Sequence, residues 1–222
     1  MIDSVIIVSG GMDSVTLLHY LIKSKQITPA IITFAYNQKH DKEVMCAKEN
    51  VSILNCKNHV ILDISFLKSI FDRSSLISSH IEIPTIQEVA GDPQPSTYVP
   101  NRNMIFLSLA AAYAENIGVK DVFYGAQKHD TYGYWDTTPH FVAQLNNVYE
   151  QNRKTPIQVK APFINYSKTE ILKLGMSLGV DYAKTWSCYR GETYACGSCP
   201  TCSERLKAFT DSGLKDPLTY AP

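Results

Sequence analysis

Six consecutive residues near the start of the chain, Ser9-Gly10-Gly11-Met12-Asp13-Ser14, combine the donors and the backbone freedom needed to hold a polyphosphate. Paired glycines let the main chain take positive φ and come close to a ligand. A helix starting directly afterwards offers unpaired N–H groups and the positive end of its dipole. Ser9 and Ser14 add hydroxyl donors for phosphate oxygens. Asp13 is a poor direct phosphate ligand, so its place is beside Mg²⁺. The loop lacks Gly-Lys-Ser/Thr and is therefore not a Walker A loop, nor does it fit Gly-x-Gly-x-x-Gly.

A second cluster, near the other end, carries metal chemistry. Cys196, Cys199 and Cys202 follow CxxCxxC spacing, and Cys188 stands a short loop upstream. Thiolates gathered by tight turns can close a tetrahedral site. No cysteine followed by proline comes after Cys202, as a ferredoxin run requires, so the spacing favours Zn²⁺ over an iron–sulfur cluster. Cys46 and Cys56 fall in or just after a helical pattern and read as incidental.

These groups need a scaffold that brings distant segments together, and the apolar patterning supplies one. Val5–Val8, Ala30–Ala35, Val60–Ile64, Asp121–Gly125 and Val159–Phe163 read as strands. Between them lie helical patterns from Asp13 to about Lys23, from Asp41 to Leu54, and from Asn101 or Asn103 as N-cap to a stop at Gly118. Ser167-Lys168-Thr169-Glu170 reads as a capping box opening a further helix. Strands this apolar, separated by helices, predict an α/β fold with a doubly wound parallel sheet. Residues 1–165 are expected to form the α/β core and 166–222 a helical, zinc-binding appendage packed on it. The Ser- and Pro-rich stretch 71–99 predicts a lid or a flexible segment.

The ends of parallel strands are where such sheets bind ligands. Tyr36, Gln38, Lys39 and His40 follow the second strand, and Asn37 among them tolerates a left-handed turn. Gln127, His129, Asp130, Tyr134 and Asp136 follow the strand at Asp121. Arg102 and Lys168 are cations in first helical turns, where they oppose the dipole and call for an anion.

Composition bounds the partners. Lysine plus arginine equals aspartate plus glutamate at 21 each, so no global basic field recruits nucleic acid. The first residues lack a basic n-region, and the apolar run after them is too short for a signal or membrane helix, which predicts a cytoplasmic protein. With 222 residues, 45% of them apolar, the chain suits one α/β domain with an appendage.

Taken in order, these motifs resemble those of the N-type ATP pyrophosphatases, which split ATP into AMP and pyrophosphate. Within that group the chain is similar, over nearly its whole length, to the 7-cyano-7-deazaguanine synthase family. Tyr36-Asn37-Gln38-Lys39-His40 stands where the family has Tyr-Gly-Gln-Arg-His, and Val99-Pro100-Asn101-Arg102-Asn103 where it has Val-Pro-Gly-Arg-Asn. The resemblance implies an adenine-nucleotide α-hydrolase-like fold, a homodimer, and conversion of 7-carboxy-7-deazaguanine and ammonia to a nitrile through adenylate and amide, with ATP, Mg²⁺ and Zn²⁺. It implies nucleotide contacts for Ser9, Gly10, Gly11, Asp13, Ser14, Tyr36, Gln38, Lys39, His40, Arg102 and Lys168, with Asp13, Arg102 and Lys168 serving catalysis. Gln127, Asp130, Tyr134 and Asp136 would surround the base analogue.

Beyond Asn37 and Asn101 for glycine and Lys39 for arginine, the match departs at the base-analogue segment, where Trp135, Thr137 and Thr138 replace the family's Pro, Cys and Arg. Loss of that arginine opens an alternative outcome, in which the reaction stops at 7-amido-7-deazaguanine or the activated acid is joined to another amine, for example on a protein. A tRNA-modifying relative with the same ATP chemistry is disfavoured by the neutral charge. A non-catalytic zinc module is disfavoured by the intact Gly10, Gly11, Asp13 and Ser14.

Overall fold

Alternate residues of the central strands are apolar on both sides, and each set meets its own layer of helices. The computed structural model describes residues 1–36, 42–128, 134–190 and 193–222. Strands β1 (Ser4–Ile7), β2 (Pro29–Ala35), β3 (His59–Asp63), β4 (Asp121–Phe123) and β5 (Gln158–Lys160) form one parallel sheet in the order β3-β2-β1-β4-β5. Ile6, Val8, Ile31 and Phe123 share one cluster with α1 (Met12–His19), α2 (Lys42–Ile53), α6 (Lys168–Ser177) and α7 (Pro200–Asp211). Val5, Ala30, Ile32, Phe34 and Val122 join α4 (Arg102–Ile117) and α5 (Pro139–Tyr149) in the other. This two-sided burial is what a period of two in a fully covered parallel strand dictates.

The doubly wound fold expected from the sequence is therefore present. β1 lies at its centre, with β2 on one side and β4 on the other, so the chain reverses its direction of winding there. Residues after the carboxyl ends of β1 and β4 must meet at that crevice. Gly125 shows how close they come: a Cβ at that position would lie 3.3 Å from the Ser14 backbone.

Several elements differ from expectation for local reasons. The first helix runs on to Ser24 with a widened π turn over Tyr20–Ser24, in which Lys25 N donates to Tyr20 O. β5 is shorter than Val159–Phe163, because Pro162 lacks the N–H that would extend this edge strand. Helix α5 was not anticipated. Its start is encoded by Thr138, whose hydroxyl accepts from Phe141 N at 3.1 Å, and by Pro139 in the first turn.

The stretch 71–99 corrects the lid expectation. It holds α3 (Ile86–Val89) and several turns, and Phe71, Leu76, Ile77, Ile83 and Val99 are buried in the α4-side cluster. Apolar residues at irregular spacing here serve as core without forming a long element. No helix among the described residues is long and apolar enough to cross a membrane.

Candidate active site

The crevice at the carboxyl edge of the sheet opens into a cavity. Ser9, Gly11, Met12, Asp13 and Ser14 line it from the loop after β1, Phe34 and Tyr36 from the end of β2, and Tyr124, Gly125 and Ala126 from the end of β4. The loop is braced internally: Ser9 N donates to Ser14 Oγ at 3.2 Å, Ser14 Oγ donates to Gly11 O at 3.1 Å, and Gly11 N donates to Ser9 Oγ at 3.3 Å. Gly10 takes φ +92°, and a Cβ there would fall 1.9 Å from Glu43 O, so only glycine lets α2 pack this closely. Gly11 caps α1 in extended conformation, leaving the first-turn N–H groups of Met12, Asp13 and Ser14 without intrahelical partners.

Three charged residues expected from the sequence converge on the cavity. Lys168, at the first position of α6, donates to Asp13 Oδ2 at 2.6 Å and lies 3.8 Å from Glu204. Asp13 Oδ1 is buried and has no hydrogen-bond partner among the described residues. Arg102 opens α4, and its Nη1 donates to Tyr36 Oη at 3.4 Å. Burial opposes the Arg102 charge, but Tyr36, Tyr189, Tyr134 and Asp136 outweigh it and raise its pKa. Ser167 and Glu170 form the expected capping box, with Ser167 N donating to Glu170 Oε2 at 2.8 Å, and so fix where Lys168 begins its helix.

The expected base-analogue residues separate. Tyr134 lines the cavity and shares a 2.8 Å hydrogen bond with Thr97 Oγ1. Gln127 and Asp136 are both buried, and neither is among the described residues lining the cavity. Asp136 instead accepts from Asn103 N and Nδ2, each at 3.1 Å, anchoring the first turn of α4. Gln38, Lys39, His40 and Asp130 lie outside the described residues, as do Asn37, His129 and Gly133. Of the three departures, Thr137 lines the cavity, Thr138 caps α5, and Trp135 donates from Nε1 to Tyr98 Oη at 2.8 Å while packing edge-on to Phe141.

Sequence reasoning missed Glu43, Trp186, Tyr189 and Glu204, which also line the cavity. Glu43 sits in the first turn of α2, where an acid reads as an ordinary dipole-favoured surface residue. Burial pushes its carboxyl up to about 7, against the opposing pull of Arg102. Trp186, Tyr189 and Glu204 are recognisable only once the cysteine segment is known to fold beside the sheet.

The Sγ atoms of Cys188, Cys196, Cys199 and Cys202 all lie within 4.8 Å of one another. A tetrahedral Zn–S₄ centre with bonds of about 2.3 Å requires sulfurs about 3.8 Å apart, so the donor set fits a metal of that size after slight contraction. Cys196 N and Cys199 N each donate to a cysteine sulfur at 3.3 Å, and Cys199 caps the N-terminus of α7, both of which favour thiolate. Hydrogen bonds from Cys188 and Cys202 hold the Cys199 thiol well below its usual range. Cys46 and Cys56 are free thiols, each pushed up by burial.

Comparison with known proteins accounts for nearly the whole chain. Residues 3–213 match the family model described as queuosine biosynthesis protein QueC. The 7-cyano-7-deazaguanine synthase of Psychromonas ingrahamii is 43% identical over 216 residues, covering 97% of this chain and 96% of that protein. The synthase of the same name from Clostridium kluyveri is 41% identical over 223 residues, covering 98% of this chain and 97% of its own length. Among solved structures, NMN synthetase from Francisella tularensis superposes with a TM-score of 0.53 at 15% identity, over 96% of this chain and 78% of that one. A predicted tRNA methyltransferase subunit from Methanocaldococcus jannaschii gives 0.51 at 15% identity, over 100% and 93%. At that identity the two structures share the fold alone.

Proposed function

This chain belongs to the QueC family of queuosine biosynthesis proteins, and from that premise we propose that it converts 7-carboxy-7-deazaguanine and ammonia to 7-cyano-7-deazaguanine at the expense of ATP. The observation that carries the reading is the meeting of the Ser9–Ser14 loop, Lys168 and Arg102 in one cavity at the switch point of the sheet. A carboxylate is inert until one of its oxygens becomes a good leaving group. Transfer of AMP onto the acid, with pyrophosphate departing, makes it one. The site must then stabilise negative charge building on the departing phosphates.

Each residue's part follows. The first-turn N–H groups of α1 and the hydroxyls of Ser9 and Ser14 bind phosphate oxygens, and Gly10 and Gly11 let the backbone reach them. Lys168 and Arg102 balance the pyrophosphate charge. Asp13 would hold Mg²⁺ through Oδ1, the buried oxygen with no partner among the described residues, and the ion would supply further charge neutralisation there. Tyr36, Gln38, Lys39 and His40 are assigned to the nucleotide, and Tyr134 and Asp130 to the base analogue. Zn²⁺ held by the four cysteines would be structural, since a closed thiolate set leaves no open position for substrate. A homodimer and a cytoplasmic location remain part of the proposal, carried by the family resemblance.

The nitrile is preferred over the altered outcome because Trp135 and Thr138 have internal partners, which leaves Thr137 as the one departure facing the cavity. Mass spectrometry of the products from the acid, ATP, Mg²⁺ and ammonium tests this. AMP, pyrophosphate and nitrile are expected. ADP and phosphate would overturn the ATP chemistry, and amide persisting with ATP and ammonium in excess would overturn the nitrile assignment.

A further inference from the structure

Three acidic residues among those described line the cavity, and two of them share one lysine. Asp13 is paired with Lys168 at 2.6 Å and Glu204 lies 3.8 Å from the same ammonium. Glu43 is different: among the described residues its carboxyl has neither an ion pair nor a hydrogen bond. Its place is nonetheless fixed, because its own carbonyl is packed against Gly10 of the phosphate loop. No described histidine lines the cavity.

We propose that Glu43 is the proton acceptor for the nitrogen that enters the reaction, taking an N–H proton as ammonia displaces AMP from the activated acid. The inference rests on the reaction proposed above. As ammonia attacks, its lone pair forms the C–N bond, the C–O bond to phosphate breaks, and that electron pair leaves on AMP. One N–H proton passes to the Glu43 carboxylate and from there to water. The second activation repeats the demand, since the amide nitrogen sheds both its protons while the C–O bond breaks and the C≡N bond forms. Without an acceptor, the protonated addition product would expel ammonia again.

The surroundings suit that task. Withdrawal from water raises the Glu43 carboxyl to about 7, so near neutrality it can both take a proton and release it. The charged and titratable groups that share the cavity with it are Arg102 from α4, Asp13 from α1, Lys168 from α6, Glu204 from α7, Tyr36 after β2, Tyr124 after β4, Tyr134 before α5, and Tyr189 from the cysteine segment. Arg102 is the cation that opposes the rise. Asp13 and Glu204 both lie beside Lys168, which leaves Glu43 as the carboxyl available to an incoming amine.

Glu43→Gln keeps the size of the side chain and removes the base, so the test compares it with wild type using acid, ATP, Mg²⁺ and ammonium. Without ammonium, the variant should still give a burst of pyrophosphate, because adenylation needs no proton acceptor. With ammonium, formation of amide and nitrile should fall about 100-fold or more, with the KM for ATP within about twofold of wild type. The rise in kcat with pH through neutrality should vanish in Glu43→Gln and return in Glu43→Asp. A variant that turns over like wild type overturns the proposal. So does a defect confined to the KM for ATP with the pH dependence retained, which would mark Glu43 as a nucleotide contact. A wild-type enzyme that releases no pyrophosphate with the acid would instead overturn the functional reading, and this inference with it.

Discussion

Gly10 and Gly11 are adjacent and identical in sequence, yet they do different work. Gly10 combines φ +92° with a would-be Cβ only 1.9 Å from Glu43 O, whereas Gly11 has φ −76° and its nearest would-be neighbour is the Ser9 hydroxyl at 3.4 Å. Gly10→Ala should therefore cost about 2–4 kcal/mol, the sum of left-handed strain and forced displacement of α2. Gly11→Ala should stay within about 0.5 kcal/mol. Urea unfolding of the two variants checks this, and equal losses would contradict the geometry. Such a difference is not visible in Ser-Gly-Gly-x-Asp-Ser, which shows that glycine is needed but not which neighbour demands it. Asn101 shows the opposite case. The resemblance placed Asn where relatives have Gly, and its φ of +54° is one that Asn tolerates. The hold of Asp136 on Asn103 was not legible, because a buried carboxylate that anchors a distant helix and one that touches a ligand look alike in sequence.

Elements with a strong period were readable, and those fixed by tertiary partners were not. The strands follow from unbroken apolar runs, and α6 follows from its capping box, whereas the clamp on the C-terminal tail has no local signature. Arg205 on α7 is buried and grips Asp216 through Nε at 2.7 Å and Nη2 at 3.0 Å, while Nη1 donates to Thr185 Oγ1 and Tyr220 Oη donates to Asp216. Removing one partner strands the other charge, so Arg205→Ala should cost about 3–5 kcal/mol, measured by denaturant unfolding. His19 on α1 makes a second prediction. Burial, then Lys23, lowers its pKa from 6.5 to about 4, so the folded state keeps it neutral while the unfolded chain protonates it. Its contribution is fully present above pH 6.5 and is lost as pH falls towards 4, at up to about 1.4 kcal/mol per pH unit. The difference in slope between wild type and His19→Gln, followed from pH 7.5 to 5, isolates that contribution. Identical slopes would show that His19 titrates alike in both states.

The C-terminal segment and the sheet meet at the same cavity, so a metal held by the cysteines at one end of the sequence would bear on the chemistry proposed for the loop at the other. Trp186 N donates to Gly10 O at 3.1 Å, and Lys42 of α2 lies over the Trp186 ring at 4.0 Å. Thr201 Oγ1 donates to Ser187 O at 2.6 Å, tying the first turn of α7 to the segment that leads to Cys188. Ser187, Tyr189, Thr201 and Glu204 all line the cavity while standing beside the four cysteines. Order in these residues therefore depends on whatever closes the sulfur cluster. A thiolate-bound zinc contributes on the order of 10 kcal/mol to ordering such a segment, far more than the few apolar side chains it buries. Elemental analysis should find one zinc per chain. Chelation, or Cys199→Ser, should loosen residues 186–204 to hydrogen exchange and weaken ATP binding, while amides of β1 and β2 stay protected by the parallel sheet. Loss of protection throughout the sheet would mean that the metal holds the whole fold, and an unchanged ATP affinity would mean that the cavity wall stands without it.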